Sequence, residues 1–130
     1  MIDNSDCCTI HNPTPGAVEL VKSKCCPEEV LGELASTFKI LGEPVRIKIL
    51  HALSISDLCV CDLSEFLGMT HSAISHQLRI LRTARMVRFV KHGRRAVYSL
   101  NDKHVEIIMQ TALAHMQGDG CDISKGDTDD

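Results

Sequence analysis

The sequence predicts a mainly α-helical chain carrying one small β-hairpin, and three observations lead there. Aromatic residues make up 3% of the 130 residues and tryptophan is absent, while apolar content reaches 44%. That composition suits aliphatic helix packing better than a sandwich of aromatic-rich strands. Apolar residues recur at three- and four-residue spacing through most of residues 28–117, which is the helical period. Only two runs, Val87–Lys91 and Ala96–Leu100, read as strands, and they are joined through His92-Gly93-Arg94. A chain of this length forms one compact domain with room for arms at its ends.

Residues 1–26 contain Pro13, Pro15 and Gly16 and no sustained apolar period, so they read as a mobile arm bearing Cys7, Cys8, His11, Cys25 and Cys26. A helix then opens near Pro27, with Glu28 and Glu29 at its positive end. Its apolar stripe is Val30, Leu31, Leu34, Phe38 and Leu41, and Gly42 stops it. A second helix starts near Pro44 and presents Val45, Ile49, Leu50 and Leu53. A short helix is expected over 62–67, because Asp62 followed by Glu65 has the spacing of a capping box. Gly68-Met69 form a turn, and Thr70 caps a helix over about 71–84 with Ile74, Leu78 and Leu81 facing inward. After the hairpin, Asn101 or Asp102 caps a last helix reaching about Gln117, whose apolar line is Val105, Ile108, Met109, Ala112 and Met116. Residues 118–130 hold five aspartates and one lysine and read as an acidic, disordered tail. The division is therefore an arm (1–26), a folded domain (27–117) and a tail (118–130). Helices, a recognition-type helix, a hairpin and a closing helix, in that order, make a winged helix-turn-helix.

The net charge of −3 conceals an asymmetry. Residues 44–100 hold nine Lys/Arg against three acids, a net of +6, so the ends together carry −9. A basic middle between acidic ends is the pattern of a nucleic-acid binder. A helix that enters the major groove carries short polar or basic side chains on one face and apolar anchors on the other. Thr70, Ser72, Ala73, Ser75, His76, Gln77 and Arg79 supply such a face, and Lys91, His92, Arg94 and Arg95 at the hairpin tip suit phosphate or minor-groove contact.

Seven cysteines, an acidic start without a signal peptide and no membrane-length apolar run point to a cytoplasmic protein with metal or redox chemistry rather than structural disulfides. Cys59 and Cys61 stand directly before the expected helix at Asp62. In extended backbone residues i and i+2 face the same side, whereas inside a helix they diverge by roughly 200°. Two thiols converging at a helix mouth suit a soft ion, and the helix N-terminus favours thiolates. The alternative is a pair of small buried hydrophobes that happen to be cysteine. A second candidate lies in the last helix. His104 and His115 are eleven residues apart, about 1100° of rotation and so on one face, yet about 16 Å apart along the axis. One helix cannot bring both to one ion; two antiparallel copies can, with Asp102 as a further ligand.

The stretches Leu58-Cys59-Val60-Cys61-Asp62-Leu63, Gly68-Met69-Thr70, Ser75-His76-Gln77-Leu78-Arg79-Ile80-Leu81 and Gly93-Arg94-Arg95-Ala96-Val97-Tyr98-Ser99-Leu100 resemble the ArsR/SmtB family of metal-responsive repressors. The resemblance covers about residues 28–117. It implies a homodimer that binds palindromic, double-stranded operator DNA without metal and releases it with metal. Its CadC-like branch, which senses cadmium, lead and related ions, pairs the Cys-x-Cys motif with arm thiols. That role falls here to Cys59 and Cys61 with Cys7, and Cys8, Cys25 and Cys26 are further candidates; His11 stands where the branch has a second arm cysteine. Four thiolates favour Cd(II), Pb(II) or Zn(II), and three suit trivalent arsenic or bismuth equally. The zinc-sensing branch implies Asp102, His104 and His115 as ligands, but Gly118 replaces its carboxylate.

Two other classes compete. A thiol-redox or metal-independent regulator on the same fold would cycle Cys59 and Cys61 with oxidant. An enzyme ranks last, since the chain has no phosphate loop and no nucleophile–base–acid set, and a Cys7–His11 dyad on a mobile arm lacks the positioning that catalysis requires.

Overall fold

The computed structural model describes residues 12–118. Cys7, Cys8 and His11 of the expected arm, and residues 119–130 of the expected tail, lie outside the described residues. The chain divides between Ala35 and Ser36 into two units.

The first unit holds a helix, α1 (Ala17–Lys24), and the opening turns of a second, α2 (Glu28–Leu41). Helix α1 falls inside the segment expected to lack regular structure, and none of its residues is buried. Its apolar residues Ala17, Val18, Leu20 and Val21 all fall within the first five positions, shorter than the window of about 11–18 residues over which a helical period can be read. Val30, Leu31 and Leu34 of the expected α2 stripe are 41–49% exposed in this structure.

The second unit completes α2 and continues with α3 (Pro44–Ile55), β1 (Leu58–Cys59), α4 (Val60–Leu67), α5 (His71–Thr83), β2 (Val87–His92), β3 (Arg95–Leu100) and α6 (Lys103–Gln117). Its core is aliphatic, as the composition predicts. Ile49 and Leu50 of α3, Leu63 of α4, Ile74, Leu78 and Leu81 of α5, and Val87 of β2 are fully buried. Each such side chain contributes roughly 1.5–3 kcal/mol of transfer free energy. Local signals fix where the helices begin. Glu43 accepts hydrogen bonds from the backbone N–H groups of Val45 and Arg46 at 3.0 and 3.2 Å, and Pro44 supplies a first-turn residue with no N–H to satisfy. Thr70 Oγ1 accepts from Ala73 at 3.1 Å, the cap expected for α5. Gly68, at φ +66°, ends α4 in the left-handed conformation that makes a tight helix–turn–helix corner.

The sheet contains one strand more than the sequence reading. Its order is β1-β3-β2, all antiparallel, with Leu58 opposite Tyr98 and Cys59 opposite Val97. Strand β1 is only two residues long, too short to show alternation. The hairpin is also tighter than expected. His92 pairs with Arg95, leaving Gly93-Arg94 as a two-residue connection, and Gly93 at φ +67° supplies the left-handed conformation this turn requires. Together α3, α4, α5 and the sheet form a winged helix-turn-helix.

Candidate nucleic-acid interface and thiol pocket

Helix α5 buries Ile74, Leu78 and Leu81 and leaves His71, Ser72, His76 and Arg79 exposed, with Ala73, Ser75 and Gln77 half-buried. Gln77 is not free. Its Oε1 accepts from Arg46 Nε at 2.9 Å, while another nitrogen of the same guanidinium donates to the Ile40 carbonyl at 3.1 Å. Arg46 thereby ties the end of α2 and the start of α3 to the recognition helix, an anchor between residues 31 positions apart that no local pattern announces. At the hairpin tip Lys91, His92 and Arg94 are exposed. Arg82 lies over the Phe89 ring at 5.0 Å from its centroid, a cation–π contact that fastens α5 to the hairpin. The polar face expected of α5 and the basic tip both exist.

The junction between α5 and β2 is closed by Arg85, the one described residue other than glycine with positive φ (63°). Met86 N–H donates to the Leu81 carbonyl at 2.8 Å and Arg85 N–H to that of Arg82 at 2.9 Å. This paired pattern usually places glycine at the left-handed position.

The cysteine region differs from its prediction. Helix α4 starts at Val60, so its N-cap is Cys59 and not Asp62. Asp62 occupies the third helical position and accepts from the Cys59 backbone N–H at 3.0 Å. Cys59 and Cys61 are therefore not an extended pair: Cys59 ends β1 and is buried, whereas Cys61 lies in the first turn of α4 and is exposed. The spacing Asp62–Glu65 fits a capping box as well as Cys59–Asp62 does, and a thiol is not among the usual N-caps. Both cysteines still border one pocket of about 350 Å³, which Val60, Arg94, Arg95 and Ala96 complete.

Arg95, read from sequence as part of the hairpin tip, turns toward this pocket. Its guanidinium donates to Cys59 Sγ at 3.1 Å and stands 3.9 Å from Asp62 Oδ2, which is itself 3.2 Å from the same sulfur. The Asp62 carboxyl is held below the ordinary range, first by the Cys59 backbone N–H, then by its contact with the Cys59 side chain and by Arg95. Arg95 is held above its own ordinary value, chiefly by its hydrogen bond to Cys59.

On α6, Asp102 is the N-cap and accepts from Val105 N–H at 3.2 Å, and its Oδ1 stands 3.7 Å from His104 Nδ1. That backbone bond is the main reason its carboxyl lies below the ordinary range, with smaller contributions from Asn101 and His104. His104 and His115 are both exposed on this helix. Gly118, at φ +79°, ends the helix, which accounts for a glycine where the resemblance implies a carboxylate. Among the described residues, no three His, Cys, Asp or Glu side chains converge to hold a metal ion. No helix among them is long and apolar enough to cross a membrane.

Residues 43–88 match the family described as "Bacterial regulatory protein, arsR family". The chain is similar to a transcriptional repressor SmtB homolog of Synechocystis, 41% identical over 85 residues, covering 65% of this chain and 64% of that protein, slightly less than two thirds of its length. It is 34% identical over 86 residues to a cadmium resistance transcriptional regulatory protein CadC homolog of Staphylococcus aureus, covering 65% and 71% of the two chains. In structure it resembles the AntR antimony-specific transcriptional repressor, with a TM-score of 0.66 at 30% identity over 82% of this chain and 95% of that one. With a helix-turn-helix, a three-stranded wing and these relatives, the chain belongs to the ArsR/SmtB family of transcriptional regulators.

Proposed function

We propose that this chain is a homodimeric, cytoplasmic repressor that binds operator DNA and is released by a soft metal or metalloid ion held at Cys59 and Cys61. The carrying observation is the pocket that both thiols share with the hairpin residues Arg94 and Arg95. An ion bound there touches the DNA-reading wing directly. The donor chemistry fits: two sulfurs, one buried and one exposed, suit a thiophilic ion. They make half a site, and the remaining donors are arm cysteines, Cys7 first, with Cys8, Cys25 and Cys26 as further candidates. When bound, the ion supplies a multivalent cross-link between thiolates. Cadmium, lead and zinc suit four sulfurs, while arsenic and bismuth suit three.

On the DNA side, α5 reads base edges through Ser72, Ala73, Ser75, His76 and Arg79 from Thr70 onward, while Lys91, His92 and Arg94 meet the backbone. Gln77 acts through its bond to Arg46. Dimerisation has its own support: Ile108 and Met116 on α6 are 43% and 75% exposed in the single chain and lie on one side of the helix, an apolar face that a second copy would cover. The same contact would give Asp102, His104 and His115 a metal-binding role across the interface, subordinate because Asp102 already caps its helix and Gly118 offers no carboxylate.

The test is titration of the reduced protein on operator DNA, followed by fluorescence anisotropy and by thiolate-to-metal absorption. Release by Cd(II), Pb(II) or As(III) that disappears in Cys59→Ser supports the thiol switch. Release by Zn(II) lost only in His104→Ala moves the switch to α6. Release by peroxide and by no metal ion replaces the metal reading with the thiol-redox one.

A further inference from the structure

The guanidinium of Arg95 occupies ground that an ion at Cys59 needs. Cys59 is 5% exposed, and its sulfur is contacted by Arg95 at 3.1 Å and by Asp62 at 3.2 Å. The pocket through which the sulfur is reached is itself lined by Arg94 and Arg95. Even an ion as small as zinc bonds sulfur directly, at about 2.3 Å, so ion and guanidinium would be two cations crowded on one acceptor. Arg95 can leave readily: its side chain is 66% exposed and its ion pair with Asp62 is long, the kind of solvent-screened contact that stores little energy. Leaving has a structural consequence. Arg95 is the first residue of β3, paired with His92 across the two-residue turn, and its bonds to Cys59 and Asp62 moor the tip of the hairpin to the mouth of α4.

We propose that Arg95 is the positioning residue that couples the thiol site to the DNA-reading hairpin: seated on Cys59 it holds the tip in the DNA-binding arrangement, and an ion at Cys59 unseats it. The inference rests on Cys59 being a ligand in the switch proposed above. It follows from linkage that whatever must be displaced to bind the ion weakens ion binding, and that this same displacement carries the effect to DNA.

Arg95→Met keeps the length of the side chain and removes its charge and donors. Arg95→Lys keeps the charge and loses the fork. Both are compared with wild type and Cys59→Ser, after circular dichroism establishes that each folds. Three quantities are read with Cd(II) as probe: affinity from the thiolate-to-metal absorption band, operator affinity without metal, and the ratio of operator affinities without and with metal. Arg95→Met is expected to bind Cd(II) roughly three- to tenfold more tightly, to bind operator more weakly without metal, and to show a ratio closer to one. Arg95→Lys is expected to fall between. Weaker Cd(II) binding in Arg95→Met would make the guanidinium a counter-ion of the thiolates and overturn the proposal. Unchanged Cd(II) affinity with an unchanged ratio and weaker operator binding would make Arg95 a plain DNA contact, overturning it equally. If wild type shows no band that Cys59→Ser removes, the thiol site itself fails and this coupling falls with it.

Discussion

Helices α5 and α6 carry apolar stripes of similar length, yet the chain treats them differently. Helix α5 closes its stripe completely: Ile74, Leu78 and Leu81 are at most 1% exposed. Helix α6 closes only half. Val105 and Met109 are buried, whereas Ile108 and Met116 are 43% and 75% exposed. The recognition helix is thus held by its own chain and needs no partner to be presented to DNA. The closing helix is built with surface left over, and the stability and spacing of the proposed dimer would depend on covering it.

The contrast is sharpest in a pair of substitutions. Leu78→Ala is expected to cost about 2–5 kcal/mol by loss of buried methylenes and the cavity left behind, a large part of the roughly 5–15 kcal/mol typical of a domain. Urea denaturation would show it at any protein concentration. Ile108→Glu is expected to leave the fold intact, by circular dichroism, while sedimentation shows a shift to monomer. If Ile108→Glu instead unfolded the chain at low concentration, the distinction between the two helices would collapse.

Smaller effects grade the ends of α5. Thr70→Ala removes the bond to Ala73 N–H and is expected to cost about 1 kcal/mol, with amide exchange rising in the first turn of α5. Arg85→Gly relieves the left-handed backbone at its far end and is expected to gain roughly 0.5 kcal/mol of stability, read as a higher denaturation midpoint. A loss there would mean that the Arg85 side chain outweighs its backbone.

The smallest effect is on pH. The Asp62 and Asp102 carboxyls lie below the ordinary value near 3.8 in the folded chain, so folding favours their ionised forms. Their contribution is complete above that ordinary value and is lost as pH falls through the lower folded values. Asp102→Asn should therefore weaken the fall in melting temperature between pH 5 and 2, and it should do so slightly, since both groups face water.

What the sequence disclosed was local. The buried face of α5, the Thr70 cap and the Gly68 corner are written within a few residues of each other, in patterns whose physics is complete on the spot. The sequence pattern places the start of α4 at Asp62, whereas the cap that formed is Cys59, because a thiol is not among the residues that usually announce a helix start. Strand β1 exists only through its pairing with β3. The engagements of Gln77 by Arg46 and of Cys59 by Arg95 join residues 31 and 36 positions apart, and no periodicity could have indicated them. The polar face of the recognition helix was therefore legible as a face, but not as a division between side chains free to meet DNA and those already committed within the chain.

Cys59 carries three duties at one position: it ends a strand opposite Val97, opens α4 as its N-cap, and offers a sulfur to Arg95. A serine would cap that helix better than cysteine does. Replacing the thiol by serine should then leave α4 as firm as before or firmer, so a loss of response in that variant would not come from a weakened helix entrance. By the same reasoning the native chain accepts a softer helix entrance at the very point where, among the described cysteines, its one buried thiol is kept.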